Sequence, residues 1–81
     1  MRVRVLLFAI LRDAAGAGEV RLELPDRATA GTAGEALLER FPALRPYLSR
    51  VAYAVNRTYC PAQTELHNGD EVALIPPVSG G

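Results

Sequence analysis

Eighty-one residues, 49% of them hydrophobic, make one small globular domain and exclude a two-domain enzyme with a cleft between its halves. Nine arginines balance nine acids, and a net charge of zero gives no electrostatic case for nucleic acid or for an anionic membrane surface. One cysteine and one histidine cannot make an internal disulfide or a structural zinc site. The longest apolar run, Val5–Leu11, is too short to span a bilayer and short for a signal segment, so a cytoplasmic location is expected.

Arg2–Ile10 alternates polar and apolar residues, then turns apolar on both faces, which predicts a strand entering the middle of a sheet. Leu11–Gly18 holds three alanines and two glycines and reads as a short helical turn or loop. Glu19–Leu24 alternates cleanly and stops at Pro25-Asp26, a second strand with one wet face. Thr29–Phe41 is the helix. Thr29 and Thr32 are both candidate N-caps, and Thr32-Ala33-Gly34-Glu35 fits a capping box in which Glu35 reaches back. Ala30, Ala33, Leu37 and Phe41 form its apolar stripe, and Pro42 closes it. Ala43–Ser49 is expected to be a turn or a 3₁₀ piece. Arg50–Asn56 is a third strand, and Tyr59–Leu66 holds a short fourth one that Pro61 keeps at an edge. Asn68-Gly69 signals a turn, and Glu71–Ile75 is the last strand, stopped by Pro76-Pro77.

The order is β, β, α, β, short β, β. A hairpin followed by a helical crossover must return to the same sheet. The most economical layout is an α+β fold: a mixed sheet, one main helix across one face, and the last strand parallel to the first in the middle. That is the β-grasp, or ubiquitin-like, roll. It occupies residues 1–75 and leaves 76–81 as a flexible C-terminal tail.

The conventional catalytic inventory is thin. Cys60 has no partner placed by a motif and reads as a small half-buried side chain beside Pro61. His67 is a solvated residue before a turn. Gly16-Ala17-Gly18 lacks the third glycine and the following helix of a phosphate loop. Glu35 and Glu39 fit an exposed helix face, and Asp70 and Glu71 flank a turn. The tail is different. At an average glycine frequency near 7%, two successive terminal glycines are roughly a one-in-two-hundred event. The reactive group they carry is the α-carboxylate of Gly81. A carboxylate is a poor acyl donor until it is activated, for example as an acyl adenylate. An activating enzyme must admit the tail through a narrow channel, and a Gly80-Gly81 pair, without Cβ atoms, passes at no steric cost.

Several blocks together carry a family resemblance: Leu7-Phe8-Ala9 with Arg12-Asp13 and Gly16, the Thr29 helix ending Glu39-Arg40-Phe41-Pro42, and Val55-Asn56. Gly69-Asp70-Glu71-Val72-Ala73 then leads to Pro76-Pro77-Val78-Ser79-Gly80-Gly81, the most specific block. Across essentially the whole chain the sequence resembles the small, sulfur-carrying subunits of molybdopterin synthase. The helix is richer in glycine and alanine than that family's pattern, and the chain has no lysine. The resemblance implies that an adenylyltransferase similar to the ubiquitin-activating type adenylates Gly81 with ATP. A sulfur donor enzyme then converts it to a thiocarboxylate. The tail, with Val78, Ser79 and Gly80, enters the large synthase subunit, and sulfur passes to cyclic pyranopterin monophosphate to build molybdopterin. It implies a heterotetramer with the small subunits at the ends of a dimer of large ones, and no cofactor bound by this chain. The alternatives are a sulfur carrier for thiamin or tRNA thiolation, or a ubiquitin-like protein modifier.

Strand parity places a partner surface. Burying Val3, Val5, Leu7, Val72 and Leu74 under the helix leaves Leu6, Phe8 and Ile75 on the open side, where Tyr59 can join them. An uncovered cluster of that kind reads as a docking site, with Arg12 at its rim. The competing expectation is a second small core covered by the 11–18 loop.

Overall fold

The computed structural model describes residues 1–77. Five strands form one sheet in the order β2-β1-β5-β3-β4: β1 (Arg2–Leu7), β2 (Glu19–Glu23), β3 (Ala52–Val55), β4 (Thr58–Cys60) and β5 (Glu71–Ile75). β1 and β5 are parallel at the centre, and every other pairing is antiparallel. Three helices, α1 (Ala9–Ala15), α2 (Ala30–Arg40) and α3 (Arg45–Leu48), and a 3₁₀ turn at Pro42–Leu44 complete the fold. The β-grasp architecture read from the residue pattern is the one observed.

Alternation sets the core. Val3, Val5 and Leu7 of β1, Val20 and Leu22 of β2, and Val72 and Leu74 of β5 share one face of the sheet and are buried. Leu11, Ala30, Ala33, Leu37, Leu44 and Leu66 meet them from the layer above. Small Ala30 and Ala33 let the α2 backbone lie close to the sheet, and Leu37 drives in one turn later. Phe41 is only half-buried, because it is the C-cap of α2 rather than part of its stripe.

Four local expectations are corrected. First, β1 stops at Leu7 and not at Ile10, and of the helical turn or loop expected after it the helix is found, starting earlier and running two turns over Ala9–Ala15. Phe8 is the extended N-cap residue of α1. Ala9 takes a left-handed φ of 50° as the chain turns, and Gly16 closes the helix at φ 74°. Leu11 then points into the main core and is fully buried, which organises the segment. Second, the capping box of α2 lies three residues earlier than Thr32…Glu35. Thr29 is the N-cap, its Oγ1 accepts from the Thr32 N–H at 3.2 Å, and the Thr32 hydroxyl accepts from the Thr29 N–H at 3.2 Å.

Third, β4 ends at Cys60, so residues 61–66 are not strand. Their carbonyls have another duty: Ala62 accepts from the Gly31 N–H and Thr64 from the Ala30 N–H, both at 2.9 Å. These bonds satisfy two of the donors that a helix N-terminus leaves without partners. Fourth, β3 begins at Ala52, since α3 and its last turn hold the chain up to Arg50. The β3–β4 loop is the two-residue turn Asn56-Arg57, with φ of 49° and 70°. This is the left-handed pair that matches the twist of a hairpin. At Asn68-Gly69 only Gly69, at φ 90°, adopts the left-handed region.

Candidate functional site

The face of the sheet opposite the helices is uncovered. Its central row crosses four strands: Leu6 pairs with Ala73, Ala73 with Ala54, and Ala54 with Tyr59. The two alanines lie at the middle of the sheet, so the face is hollow there and high at its margins. The result is a shallow depression of ≈ 370 Å³ lined by Leu6, Phe8, Ala54, Arg57, Tyr59, Glu71, Ala73 and Ile75. Phe8 is 46% exposed and Tyr59 70% exposed, a large apolar area for a domain this small to leave in water. The 11–18 segment does not cover it, because Leu11 is committed to the main core.

The depression has a charged end. Glu71 stands between Arg4, whose Nη2 donates to its Oε1 at 3.3 Å, and Arg57, whose Nε is 3.8 Å from Oε2. The structure brings four of the five expected partner-binding residues, Leu6, Phe8, Tyr59 and Ile75, to this one surface. Arg12 is not among its lining residues. It is exposed on α1, and its stem runs beside Gly18, where an added Cβ would lie 3.1 Å from the Arg12 Cδ. Parity alone cannot place a residue on a helix, and Arg12 follows the helix. Ala54, Arg57 and Glu71 belong to the surface and were not singled out from the sequence, and Ala73, which alternation puts on the face of Ile75, was not counted in the cluster. The two alanines were readable, since they occupy open-face positions by the same alternation.

The C-terminal end of the sheet adjoins this surface. Ile75 is the last residue of β5, and Pro76 and Pro77 leave from it. With Ile10, Pro46, Tyr47, Ser49 and Arg50, the two prolines line a second depression of ≈ 450 Å³. Neither proline has an N–H, so the central strand ends there without offering a donor to another chain. The other site residues, Val78, Ser79, Gly80 and Gly81, lie outside the described residues.

Side chains with catalytic potential are otherwise accounted for locally. Asp70 accepts from the His67 N–H at 2.7 Å and from Asn56 Nδ2 at 2.9 Å, while Asn56 Oδ1 accepts from the Glu71 N–H at 3.0 Å. This network ties the 67–70 turn to the β3–β4 hairpin. Cys60 is a free, half-buried thiol. Tyr53 packs against Gly34 on the helix side. Burial, and secondarily the negative charge of Glu35, raises its phenol above the usual tyrosine value. Among the described residues no cluster of His, Cys, Asp and Glu has metal-binding proximity, and no helix is long and apolar enough to cross a membrane.

Comparison with known proteins extends this picture over the whole chain. The ThiS family model matches residues 5–81. The molybdopterin synthase sulfur carrier subunit of Chlamydomonas reinhardtii is 39% identical over 83 residues, covering 100% of both chains. SAMP1 from Haloferax volcanii superposes with a TM-score of 0.89 at 34% identity over 100% of both chains. A complex of subunits 1 and 2 of the molybdopterin-converting factor from Helicobacter pylori contains a chain that matches at TM-score 0.72 and 26% identity, again over 100% of both chains. This chain belongs to the ThiS family, and its relatives there include the sulfur-carrier subunits of molybdopterin synthase.

Proposed function

We infer that this chain is the sulfur carrier of molybdopterin synthase. The observation that carries the reading is similarity to such subunits over the full length, through the Pro76-Pro77-Val78-Ser79-Gly80-Gly81 block. The Gly81 carboxylate attacks the α-phosphorus of ATP on an adenylyltransferase of the ubiquitin-activating type and releases pyrophosphate. Hydrosulfide-level sulfur from a donor enzyme attacks the acyl carbon, the C–O bond to AMP breaks, AMP leaves with the electron pair, and a thiocarboxylate remains. The large synthase subunit receives the tail, and the sulfur is transferred to cyclic pyranopterin monophosphate. ATP belongs to the activating enzyme, and this chain contributes the acyl group and its delivery.

The fold's part is positional. The open face, with Phe8 and Tyr59 as exposed aromatic anchors and Leu6 and Ile75 between them, docks on the large subunit. Because Ile75 also begins the exit of the tail, docking fixes where residues 76–81 start. The complex of the Helicobacter pylori relative with its second subunit supports a partner of this kind, and a heterotetramer follows if two large subunits pair. The test is reconstitution: thiocarboxylated carrier, large subunit and cyclic pyranopterin monophosphate should yield molybdopterin in proportion to the carrier supplied. A carrier whose C-terminus is extended by a tag should yield none. Equal product from the tagged carrier overturns the reading.

A second reading has one observation in its favour. Solved structures close to this chain are named small archaeal modifier protein 1, one at TM-score 0.87 and 31% identity. The same activated Gly81 would then form amides with amines of other proteins. High-mass conjugates in cells, dependent on Gly81, would support it.

A further inference from the structure

The hairpin turn Asn56-Arg57 keeps an arginine where glycine is the favoured residue. Arg57 sits at φ 70°, in the left-handed region, next to Asn56 at 49°. That conformation costs a residue with a Cβ some stability that glycine would not lose, and Asn-Gly is a preferred pair for this turn. The turn is also pinned: the Asn56 N–H donates to the Glu71 carbonyl at 2.8 Å, and Asn56 Oδ1 accepts from the Glu71 N–H at 3.0 Å. The side chain held there returns little to the fold. Its Nε lies 3.8 Å from Glu71 Oε2, beyond hydrogen-bond reach, and the side chain is 89% exposed. Arg27 shares the left-handed backbone, at φ 68°, but it does not line the depression on the open face, whereas Arg57 does.

Position gives this side chain a use. β5 runs from Glu71 to Ile75, so the charged end of the depression and the exit of Pro76-Pro77 stand about 13 Å apart, at opposite ends. Between them the surface is apolar, and apolar contact is non-directional, so it does not fix which way round a partner sits. Glu71 does not supply the distinction: its side chain is only 15% exposed, and Arg4 already donates to its Oε1 at 3.3 Å. The charge that faces a docked partner here is that of Arg57. A partner that covered it without a negative group would strand a desolvated guanidinium. We propose that Arg57 is a specificity-determining residue of the open face. It takes a carboxylate of the large synthase subunit, the occupant given by the sulfur-carrier reading on which this inference rests, and so fixes the orientation in which that subunit meets the end of the sheet where Pro76-Pro77 leaves.

The test titrates the large subunit with the full carrier chain by calorimetry over a range of NaCl concentrations. Wild type, Arg57→Gly, Arg57→Lys and Arg27→Gly are compared, each with a thermal melt. Both glycine variants should melt above wild type, since each relieves a left-handed residue. Only Arg57→Gly should bind more weakly, by roughly tenfold at low salt, and its affinity should fall less steeply as salt is added. Arg57→Lys keeps the charge and should retain most of the affinity and the wild-type salt slope. Wild-type affinity in Arg57→Gly overturns the inference, and so does a loss with an unchanged salt slope or an equal loss in Arg27→Gly. A wild type that does not bind the large subunit at all overturns the docking reading itself, and the inference falls with it.

Discussion

Gly34 shows how one missing methyl shapes the helix side of the fold. A Cβ there would lie 2.6 Å from the Tyr53 hydroxyl oxygen, while the ring carbons Cε1 and Cζ would sit at 3.5 Å, an ordinary contact. Alanine gains about 1 kcal/mol of helix propensity over glycine, but forcing an atom into a filled site costs about 1–3 kcal/mol. Gly34→Ala should therefore destabilise the protein by about 1 kcal/mol. In a Tyr53→Phe background, where the clashing oxygen is gone, the same change should stabilise it. Urea midpoints of the four proteins form the cycle, and a Gly34→Ala cost that persists beside Phe would refute the steric account. The same phenol has a pH signature. Its folded pKa lies above the unfolded value, chiefly through burial. Its contribution to stability is therefore present below about pH 10 and fades as pH rises through the folded value. Ultraviolet titration should show a tyrosine phase raised above the ordinary phenol range, and Tyr53→Phe should remove it.

At the scale of elements, the cap of α2 and the two faces of the sheet make separate expectations. Thr29 carries the reciprocal cap, so Thr29→Ala should cost about 1 kcal/mol. Glu35→Ala, outside that cap, should stay within about 0.5 kcal/mol. Equal losses would mean that Glu35 shares the cap. On the sheet, Leu74 is fully buried and Phe8 is 46% exposed. Leu74→Ala should lose about 2–5 kcal/mol of stability, and Phe8→Ala much less. Binding to the large subunit should respond in the opposite sense. Truncating an aromatic anchor costs about 2 kcal/mol or more, so Phe8→Ala should weaken the complex roughly thirtyfold. Calorimetric titration beside thermal melts separates the two. Unchanged affinity together with a large fall in Tm would assign Phe8 to the core.

Taken whole, the molecule was legible where one periodicity ruled a segment. β2 and β5 alternate or run apolar between clear stops, and the parallel β1–β5 centre follows from chain order and crossover handedness. Legibility failed where tertiary contacts chose between local options. Phe8-Ala9-Ile10-Leu11 is apolar throughout, so nothing local says that the strand stops at Leu7 and that Leu11 turns into the core from a helix. The choice between Thr29 and Thr32 as cap rests on the carbonyls of Ala62 and Thr64, more than thirty residues away in sequence. The turn Asn56-Arg57 lacks the glycine that usually announces a hairpin. For the candidate surface, parity located Leu6, Phe8 and Ile75 and puts Ala73 on the same face, whereas the hollow that Ala54 and Ala73 make together is seen only once the strands are aligned. The tail's chemistry rests on Gly81 and on the family. The most direct measurement is therefore intact mass of the chain after incubation with ATP, an activating enzyme and a sulfur source, followed by peptide mapping. The account predicts a gain equal to the exchange of one oxygen for one sulfur, confined to the peptide ending at Gly81 and absent when the C-terminus is blocked. Sulfur found on Cys60 instead, or no gain with an enzyme that does adenylate Gly81, would contradict it.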